Sequence, residues 1–359
     1  MNMYTWLVVA ILTLSIFMNG HIKGNTRYTW LVCFLMFCVL GLRDAFSIGI
    51  DAASSYVNIF NDCGTADWAE LAVEREQHIG FAYLMKLVYI LGNGDYQLFI
   101  ILQTAFCMLV FAYIISKYSC NPLQSFIYYL GLWFFLHQFN ILKQCFAMAF
   151  VLLAFDKIMD RKPIRFILLV LIGSTFHFPA LVFLPAYWIA TRKAGLSYIF
   201  SLTALLAATY YFRDKLLNMM LDLYSTTIYD SNMRFLANKV LIMLAIVVMA
   251  LILRPPVREF SLYNALLQLL GIAIVLQTFA SYNNTFERLA DYYFQFSVIF
   301  IPMVFQKCGR KSLFISPSLA HLGQTLGPWV FCAFGIWRFL NAIQSSSWAY
   351  LPYRFFFQV

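Results

Sequence analysis

The sequence predicts an all-α polytopic membrane protein with about 10–12 transmembrane helices, a broken helical hairpin and two long external loops. Hydrophobic residues make up 62% of the 359 residues and charged residues only 11%, against roughly 25% charged residues in a typical soluble domain. Apolar runs of bilayer length, about 17–25 residues, recur from end to end. No long polar stretch is left for a separate soluble domain, so we expect residues 1–359 to form a single integral membrane domain.

The helices are predicted from the apolar runs in chain order. The first run, "MNMYTWLVVAILTLSIFMNG", has no basic segment before it and no small-residue cleavage site, so we expect a permanent spanning helix and not a cleaved signal peptide. The predicted spans are 4–19, 28–42, 96–116, 122–138, 141–159, 164–176 paired with 179–190, 195–212, 238–253, 260–280, 289–305 and 325–343.

The orientation of these spans is predicted from the basic residues in the connecting segments. The stretch "DKIMDRKPIR" concentrates four basic residues in one short loop, which the positive-inside rule places in the cytoplasm. The later basic segments "TRK", "RPPVRE" and "QKCGRK" reach the same side only if residues 164–190 leave and return as a hairpin. Pro179 and Pro185 would break a single long helix there. The "STFHFP" tip of the hairpin would therefore face outside.

One apolar segment, residues 79–91, is too short to fit this pattern as a span. It has about a dozen apolar residues and carries Lys86, so an interfacial or re-entrant helix is expected. If this segment did span, every later loop would change sides. The two long external loops are then residues 43–95 and 213–237.

The net charge of +9 does not indicate nucleic-acid binding, because the basic residues are scattered among short loops and form no patch. The eight cysteines show neither a C-x-x-C pair nor a histidine at metal-ligand spacing. We therefore expect no disulfide framework, no metal and no cofactor.

Two stretches place polar residues at the predicted outer face. The first, "GLRDAFSIGIDAASSYVNIF", begins with Arg43 and continues to Asp51 and Tyr56; an ordinary solvated loop is the alternative interpretation. The second, "NILKQCFAMAF", opens a helix in which Asn140, Lys143, Gln144 and Ala147 share one face. A lone lysine at this position could instead extend to the lipid headgroups.

Two further stretches reach the same face. In "NNTFERLADYYFQF", Arg288, Asp291, Tyr292 and Gln295 repeat the helical spacing, although an internal Arg288–Asp291 pair would neutralise both charges. His177 lies at the hairpin tip, where a purely structural histidine that caps exposed backbone is the alternative. Because four separate stretches bring basic or titratable groups to one face, the sequence favours a cationic pocket for a phosphate-bearing lipid.

These stretches resemble the motifs of the EpsG-like (Wzy-type) polysaccharide polymerases, which assemble bacterial capsule, exopolysaccharide and O-antigen of lipopolysaccharide. "GLRD", "GID" and Tyr56 resemble the family's Gly-Leu-Arg, Gly-x-Asp and following tyrosine. "NILKQCFAMA" resembles its Asn-x-x-Arg-Gln followed by alanines, "FHFPAL" its Phe-His-x-Ser-Ala-Leu, and "RLADYYF" its arginine with a downstream Tyr-Phe. The order and spacing match over residues 40–310.

Three positions depart from the family pattern. Lys143 replaces the usual arginine, which keeps the charge but loses the two-pronged guanidinium. Pro179 stands where the family has serine, and His78 lies in "EQHIGF", where a Glu-Pro-Gly type of sequence is more common. These departures concern the phosphate-binding geometry and the role of residues 74–81.

The resemblance implies a metal-independent glycosyltransferase at the periplasmic face of the bacterial inner membrane, and a GT-C-like membrane fold is compatible with it. A growing glycan would leave undecaprenyl diphosphate and join a new lipid-linked repeat unit. The donor and acceptor lipids and the surrounding membrane lipids are the implied partners, with a chain-length regulator and a flippase as further candidates. The implied diphosphate-binding residues are Arg43, Lys143, Arg288 and Arg234, and the implied substrate-positioning residues are Tyr56, Asn140, Gln144 and Tyr292.

Catalysis would require cations beside the departing diphosphate and a base for the acceptor hydroxyl. Arg43 and Arg288 are the expected catalytic cations. His177 is the favoured base, because its ordinary pKa near 6.5 leaves a neutral fraction. Asp51 is the rival base, but nearby cations would lower its pKa and so weaken its basicity. The aromatic tail "WAYLPYRFFFQV" is expected at the membrane interface, with Tyr350 and Tyr353 as candidates for stacking on sugar.

Other enzyme and transport functions stay open at the level of the sequence. Another lipid-linked glycan transferase or ligase would use a similar cationic site. A membrane O-acyltransferase would need His177 on the cytoplasmic side, and a lipid-linked oligosaccharide flippase would line a path across the bilayer with its charges.

Overall fold

The structure, a computed structural model, describes residues 2–192, 197–212, 215, 218, 238–253, 261–281, 284–306, 315–345 and 348–358. These residues form helices joined by short turns, and a single isolated β-bridge between Arg43 and Phe355 is their only strand-like pairing. The all-α class predicted from the sequence is therefore confirmed for the described part of the chain.

The chain divides into two compact units, which are described separately. Unit 1 comprises residues 1–181 and 328–359, and unit 2 comprises residues 182–327. The helices of unit 1 are α1 (Met3–Met18), α2 (Thr26–Gly41), α3 (Ile50–Ala53), α4 (Ser55–Thr65), α5 (Trp68–Glu74), α6 (Ile79–Leu91), α7 (Tyr96–Tyr118), α8 (Pro122–Gly131), α9 (Phe134–His137), α10 (Leu142–Met159) and α11 (Pro163–Phe176).

Unit 2 begins inside a 3₁₀ segment, Phe178–Phe183, that follows α11. Its described helices are α12 (Ala186–Ala190), α13 (Ser197–Tyr211), α14 (Asn238–Leu253), α15 (Leu262–Thr278), α16 (Asn284–Phe294) and α17 (Ser297–Phe305). A last long helix, α18 (Pro317–Ile343), contributes its first part to unit 2 and its second part to unit 1.

Local sequence signals explain where several of these helices begin. The side chain of Asn2 accepts a hydrogen bond from the backbone of Thr5 at the start of α1, and Asp95 does the same for two amides at the start of α7. Asn121 caps α8, and Pro122 occupies the first turn, where no backbone donor is lost. These short polar residues therefore separate apolar runs that would otherwise merge.

Two predicted spans are interrupted in the structure. The predicted span 122–138 is wrong as one helix, because Trp133 takes a left-handed backbone conformation with φ of 74° between α8 and α9. The predicted span 289–305 is likewise two helices, α16 and α17, separated at Gln295 and Phe296. The predicted break between 164–176 and 179–190 is confirmed, since α11 ends at Phe176 and α12 begins at Ala186.

The predicted external loop 43–95 is a folded helical layer, which we call the cap and define as α3 to α6. Its residues Tyr56, Phe60 and Phe81 are buried in one apolar cluster together with Leu142 at the start of α10. Residues 79–91 form a helix as predicted, α6, and Lys86 is buried there with its ammonium donating to the carbonyl oxygens of Gly64 and Ala66. Most of the second predicted loop, 213–237, lies outside the described residues.

The apolar character of the helices agrees with a membrane protein. Within the described ranges, Tyr96–Tyr118 and Pro317–Ile343 are long and apolar enough to cross a bilayer, and seven shorter helices are also apolar. The number of crossings and the side on which each loop lies stay predictions.

Candidate functional site

The predicted Gly-x-Asp motif, residues 49–51, packs against the turn that precedes α10. Gly49 has a φ of 88°, and a Cβ added to it would overlap the carbonyl oxygen of Phe139. Only glycine combines this backbone conformation with so close an approach. Two residues on, the backbone amide of Asp51 donates to the side-chain oxygen of Asn140 over 3.4 Å. Gly49 therefore lets the first turn of α3, which carries Asp51, lie against Asn140.

The carboxyl-terminal tail is held at the same turn. The side-chain amide of Asn140 donates to the Tyr350 hydroxyl over 3.1 Å, and the Tyr350 carbonyl accepts from the Tyr4 hydroxyl. Burial raises the pKa of Tyr350, and the charge of Asp51 acts in the same direction. Tyr350 is only 5% exposed, so its ring is packed inside unit 1 in this conformation, and its place at the membrane interface or on a sugar stays a prediction.

Arg43 is completely buried beneath this tail. Its guanidinium donates to the carbonyl oxygens of Leu40 and Gln138 and lies 4.7 Å from the centre of the Phe139 ring. The tail pairs with the backbone on either side of Arg43, since Asp44 donates to Arg354 and Phe356 donates to Leu42. Burial lowers the pKa of Arg43. In this conformation its guanidinium ties the end of α2 to the turn before α10 and does not reach solvent.

Lys143 lies three residues beyond Asn140, in the first turn of α10, and is partly exposed. Its charge acts on the thiol of Cys63 in α4 and on the imidazole of His78, which precedes α6. Burial, and after it the charge of Lys143, lowers the pKa of His78 to about 4. The cap therefore places His78 within electrostatic reach of Lys143 at the start of α10.

His177 stacks on that histidine. The rings of His78 and His177 are parallel within 2°, with their centroids 5.5 Å apart. His177 ends α11, where its amide donates to Gly173 and its carbonyl accepts from Ala180. A Cβ on Gly80 would overlap the Thr175 side chain, so the absence of a side chain at Gly80 permits this approach of α6 to α11.

The predicted substrate-positioning residues of unit 1 are buried. Tyr56 is 8% exposed, with its ring edge against Phe81. Gln144 is 2% exposed and its amide nitrogen lies 3.8 Å from the sulfur of Met148. Asn140 is 3% exposed and holds both Asp51 and Tyr350. All three are therefore packed inside unit 1, and Asn140 also holds the backbone of Asp51.

The remaining predicted site residues belong to unit 2 or lie outside the described residues. Arg288 is exposed on α16, and Tyr292, one turn later, is fully buried. Asp291 forms an ion pair with Lys239 of α14, which also binds Glu287 at 3.0 Å. The sequence had offered Arg288, on the same helix, as the partner of Asp291. In the structure Asp291 pairs with Lys239 of α14. Arg234 lies outside the described residues.

Unit 1 thus brings together Asp51, Asn140, Lys143 and His177 through contacts that the sequence order does not reveal. His78 belongs to the same group and was noted in the sequence only as a departure from a family motif. Gly80, two residues later, carries no side chain where α6 meets α11, but nothing in the sequence alone marks that crossing. Among the described residues, no group of three or more His, Cys, Asp or Glu is arranged to hold a metal ion.

Comparisons with known proteins complete this description. A search of curated proteins and of solved structures finds no match. A family model described as the EpsG family matches residues 27–355, which includes the Arg43 segment, the cap, the Lys143 helix, His177 and Arg288. Because the match covers most of the chain, the protein belongs to the EpsG family.

Proposed function

We propose that this protein polymerises undecaprenyl-diphosphate-linked repeat units into a surface polysaccharide at the outer face of the bacterial inner membrane. Membership of the EpsG family supports a polymerase-like role in polysaccharide biosynthesis. The apolar helices support a membrane location. The observation that carries the proposal is the grouping of Lys143, His78 and His177, a cation beside stacked imidazoles at one end of α10.

The proposed reaction is a glycosyl transfer between two lipid-linked glycans. The acceptor hydroxyl at the non-reducing end of a new repeat unit attacks the anomeric carbon of the growing chain. The bond from that carbon to the diphosphate oxygen breaks, and the electron pair leaves with undecaprenyl diphosphate. The acceptor proton passes to a base. The products are a glycan longer by one repeat unit and the free lipid diphosphate, so atoms and charge balance.

His177 is the proposed base, because it lies at the end of α11 in a group that includes a cation. Asp51 is the alternative base, held on the neighbouring turn by Asn140. Lys143 is proposed to bind the diphosphate, since an ammonium stabilises the negative charge that develops on the leaving group. Arg288, on α16 of unit 2, stays a candidate diphosphate-binding cation through its resemblance to the family motif.

Arg43 is proposed to act through other residues. Its guanidinium is fully buried and donates to two backbone carbonyls, so it fixes the turn that carries Asn140 and leads into Lys143. Tyr56 and Gln144 are buried as well and are proposed to support the site indirectly, through packing. Tyr292 is buried in unit 2, and its proposed role is to position substrate indirectly through that packing.

Deletion of the gene in its host tests the function. Loss of a polymerase leaves single repeat units on the surface, loss of a flippase leaves none, and loss of an O-acyltransferase leaves chains of normal length. Gel separation of the surface glycan distinguishes these outcomes. We expect single repeat units, and normal long chains in the deletion strain would contradict the proposal.

Complementation then tests the site. His177→Ala is expected to restore no long chains, whereas His321→Ala, which changes an exposed histidine in the first half of α18, is expected to restore them fully. Long chains from His177→Ala at normal expression would exclude His177 as the base. Asp51→Asn would then become the variant that decides the question.

A further inference from the structure

The stacked pair of histidines is built by three separate elements of unit 1. His78 comes from the 3₁₀ turn before α6, and His177 from the end of α11. Gly80 allows the two elements to approach, because any side chain there would overlap Thr175. The third element is α10, whose Lys143 acts on the His78 ring. The arrangement fixes the plane of the His177 imidazole as well as its position.

The electrostatic surroundings decide which charge His78 carries. Burial lowers the pKa of His78 to about 4. The charges of Lys143, in α10, and of Arg75, three residues before His78, act in the same direction. At neutral pH the ring is therefore uncharged. A neutral imidazole does not repel a proton on the ring stacked against it, whereas a second imidazolium would.

We propose that His78 is a positioning residue for His177, providing the flat ring face against which the His177 imidazolium forms. The inference rests on the proposed function, in which His177 takes the proton of the acceptor hydroxyl. During that step His177 gains a positive charge, and the π-face of a neighbouring ring stabilises such a charge. The parallel ring also restricts rotation of His177, so that the nitrogen that takes the proton keeps one direction.

Aromatic replacement separates the ring face from the chemistry of imidazole. His78→Phe retains a flat ring, so elongation is expected to stay within about threefold of the wild-type rate. His78→Ala removes the ring and is expected to slow elongation about tenfold or more, since misplaced general bases are inefficient. Initial rates are measured with purified protein in nanodiscs, using the lipid-linked repeat unit that a polymerase-deficient strain accumulates.

A fixed charge at the same position supplies a readout that a packing role would not change. His78→Lys places a permanent cation beside His177 and disfavours its protonation, so the acid limb of the pH–rate profile is expected to move down by about 1 pH unit. Lys143 and Arg75 are the other charges acting on His78, and they stay in place in every variant. Wild type and His78→Phe should share one acid limb.

Three outcomes would overturn the inference. They are a wild-type rate for His78→Ala, an equal loss in His78→Phe and His78→Ala, or an unmoved acid limb in folded His78→Lys. Failure of the proposed function is distinguished by His177→Ala. If that variant elongates normally, His177 is not the base, whatever the variants at position 78 do.

Discussion

The two ends of α10 differ in the surroundings of their charged side chains. At one end Asp156 is 1% exposed and accepts from Lys117 and Lys157 at 2.6 Å and from the Tyr118 hydroxyl at 2.7 Å. At the other end the charge of Lys143 acts on His78, whose pKa is lowered first by burial and then by that charge.

This difference separates a structural charge cluster from a candidate binding site. The Asp156 cluster is compensated within the protein, and it joins α7 to α10. At the Lys143 end a positive charge acts on a histidine that stays neutral, and Lys143 is the cation proposed to bind the lipid diphosphate. Changes at the two ends should therefore have separable effects, on activity at Lys143 and on stability at Asp156.

Lys143→Ala should produce the largest effect. Removal of the ammonium is expected to slow chain elongation about 10²–10³-fold, as for loss of one donor to a developing negative charge. Lys143→Arg keeps the charge and restores the residue that resembles the family pattern, so its rate should lie within several-fold of wild type. Rates are measured in nanodiscs with the lipid-linked repeat unit. Elongation at the wild-type rate by folded Lys143→Ala would show that Lys143 does not bind the diphosphate.

Asp156→Ala should act mainly on stability. It leaves the buried Tyr118 hydroxyl and two lysine ammonium groups without their shared acceptor, which is expected to lower the free energy of unfolding by about 2–4 kcal/mol. The two lysines are partly exposed, so water limits the loss. Chemical denaturation in nanodiscs measures the change.

The control at this end is Asp160→Asn. Asp160 is 29% exposed, and its pairs with lysines are worth about 0–1 kcal/mol. The folded fraction of Asp156→Ala should elongate glycan at the wild-type specific rate. A large fall in that specific rate, with little change in unfolding, would show that the Asp156 end belongs to the active machinery.

The sequence predicted the long helices α1, α2, α7, α10 and α11 of unit 1, because apolar runs and short polar caps such as Asn2, Asp95 and Asn121 are local signals. It did not predict α3 to α5 of the cap, which are short and partly polar. It did not predict the helical break at Trp133, because a left-handed tryptophan has no local sequence signature. The burial of Arg43 also depends on the tail, about 310 residues later, through the bridge to Phe355. Contacts of that kind arise from tertiary packing and not from spacing.

The same distinction applies to the site. Lys143 and His177 were identified from motif spacing, and the structure connects them through His78. His78 could not be assigned from sequence, because its partner lies about 100 residues away and the approach depends on the missing side chain of Gly80. The sequence does not show which glycines allow two elements to approach closely. Gly80 is one such position and Gly49 is another.

Gly49→Ala should have the smallest of the three effects. Alanine tolerates a φ of 88° poorly, and its Cβ would overlap the Phe139 carbonyl oxygen. The first turn of α3, which carries Asp51, must therefore move away from Asn140. We expect elongation to fall about tenfold, which corresponds to a loss of about 1.4 kcal/mol of transition-state stabilisation. The measurement is the same initial rate used for Lys143.

Gly24→Ala is the matched control for this change. Gly24 also has a positive φ, 77°, but no atom lies within 4 Å of an added Cβ. Backbone strain is thus common to both variants, whereas displacement of a neighbouring backbone occurs only at Gly49. If the close approach of Gly49 to Phe139 positions the site, Gly24→Ala should elongate normally and Gly49→Ala slowly. Equal rates in the two variants would mean that Asp51 and Asn140 work without that contact, and the Lys143 end of α10 would then depend on the cap and His177 alone.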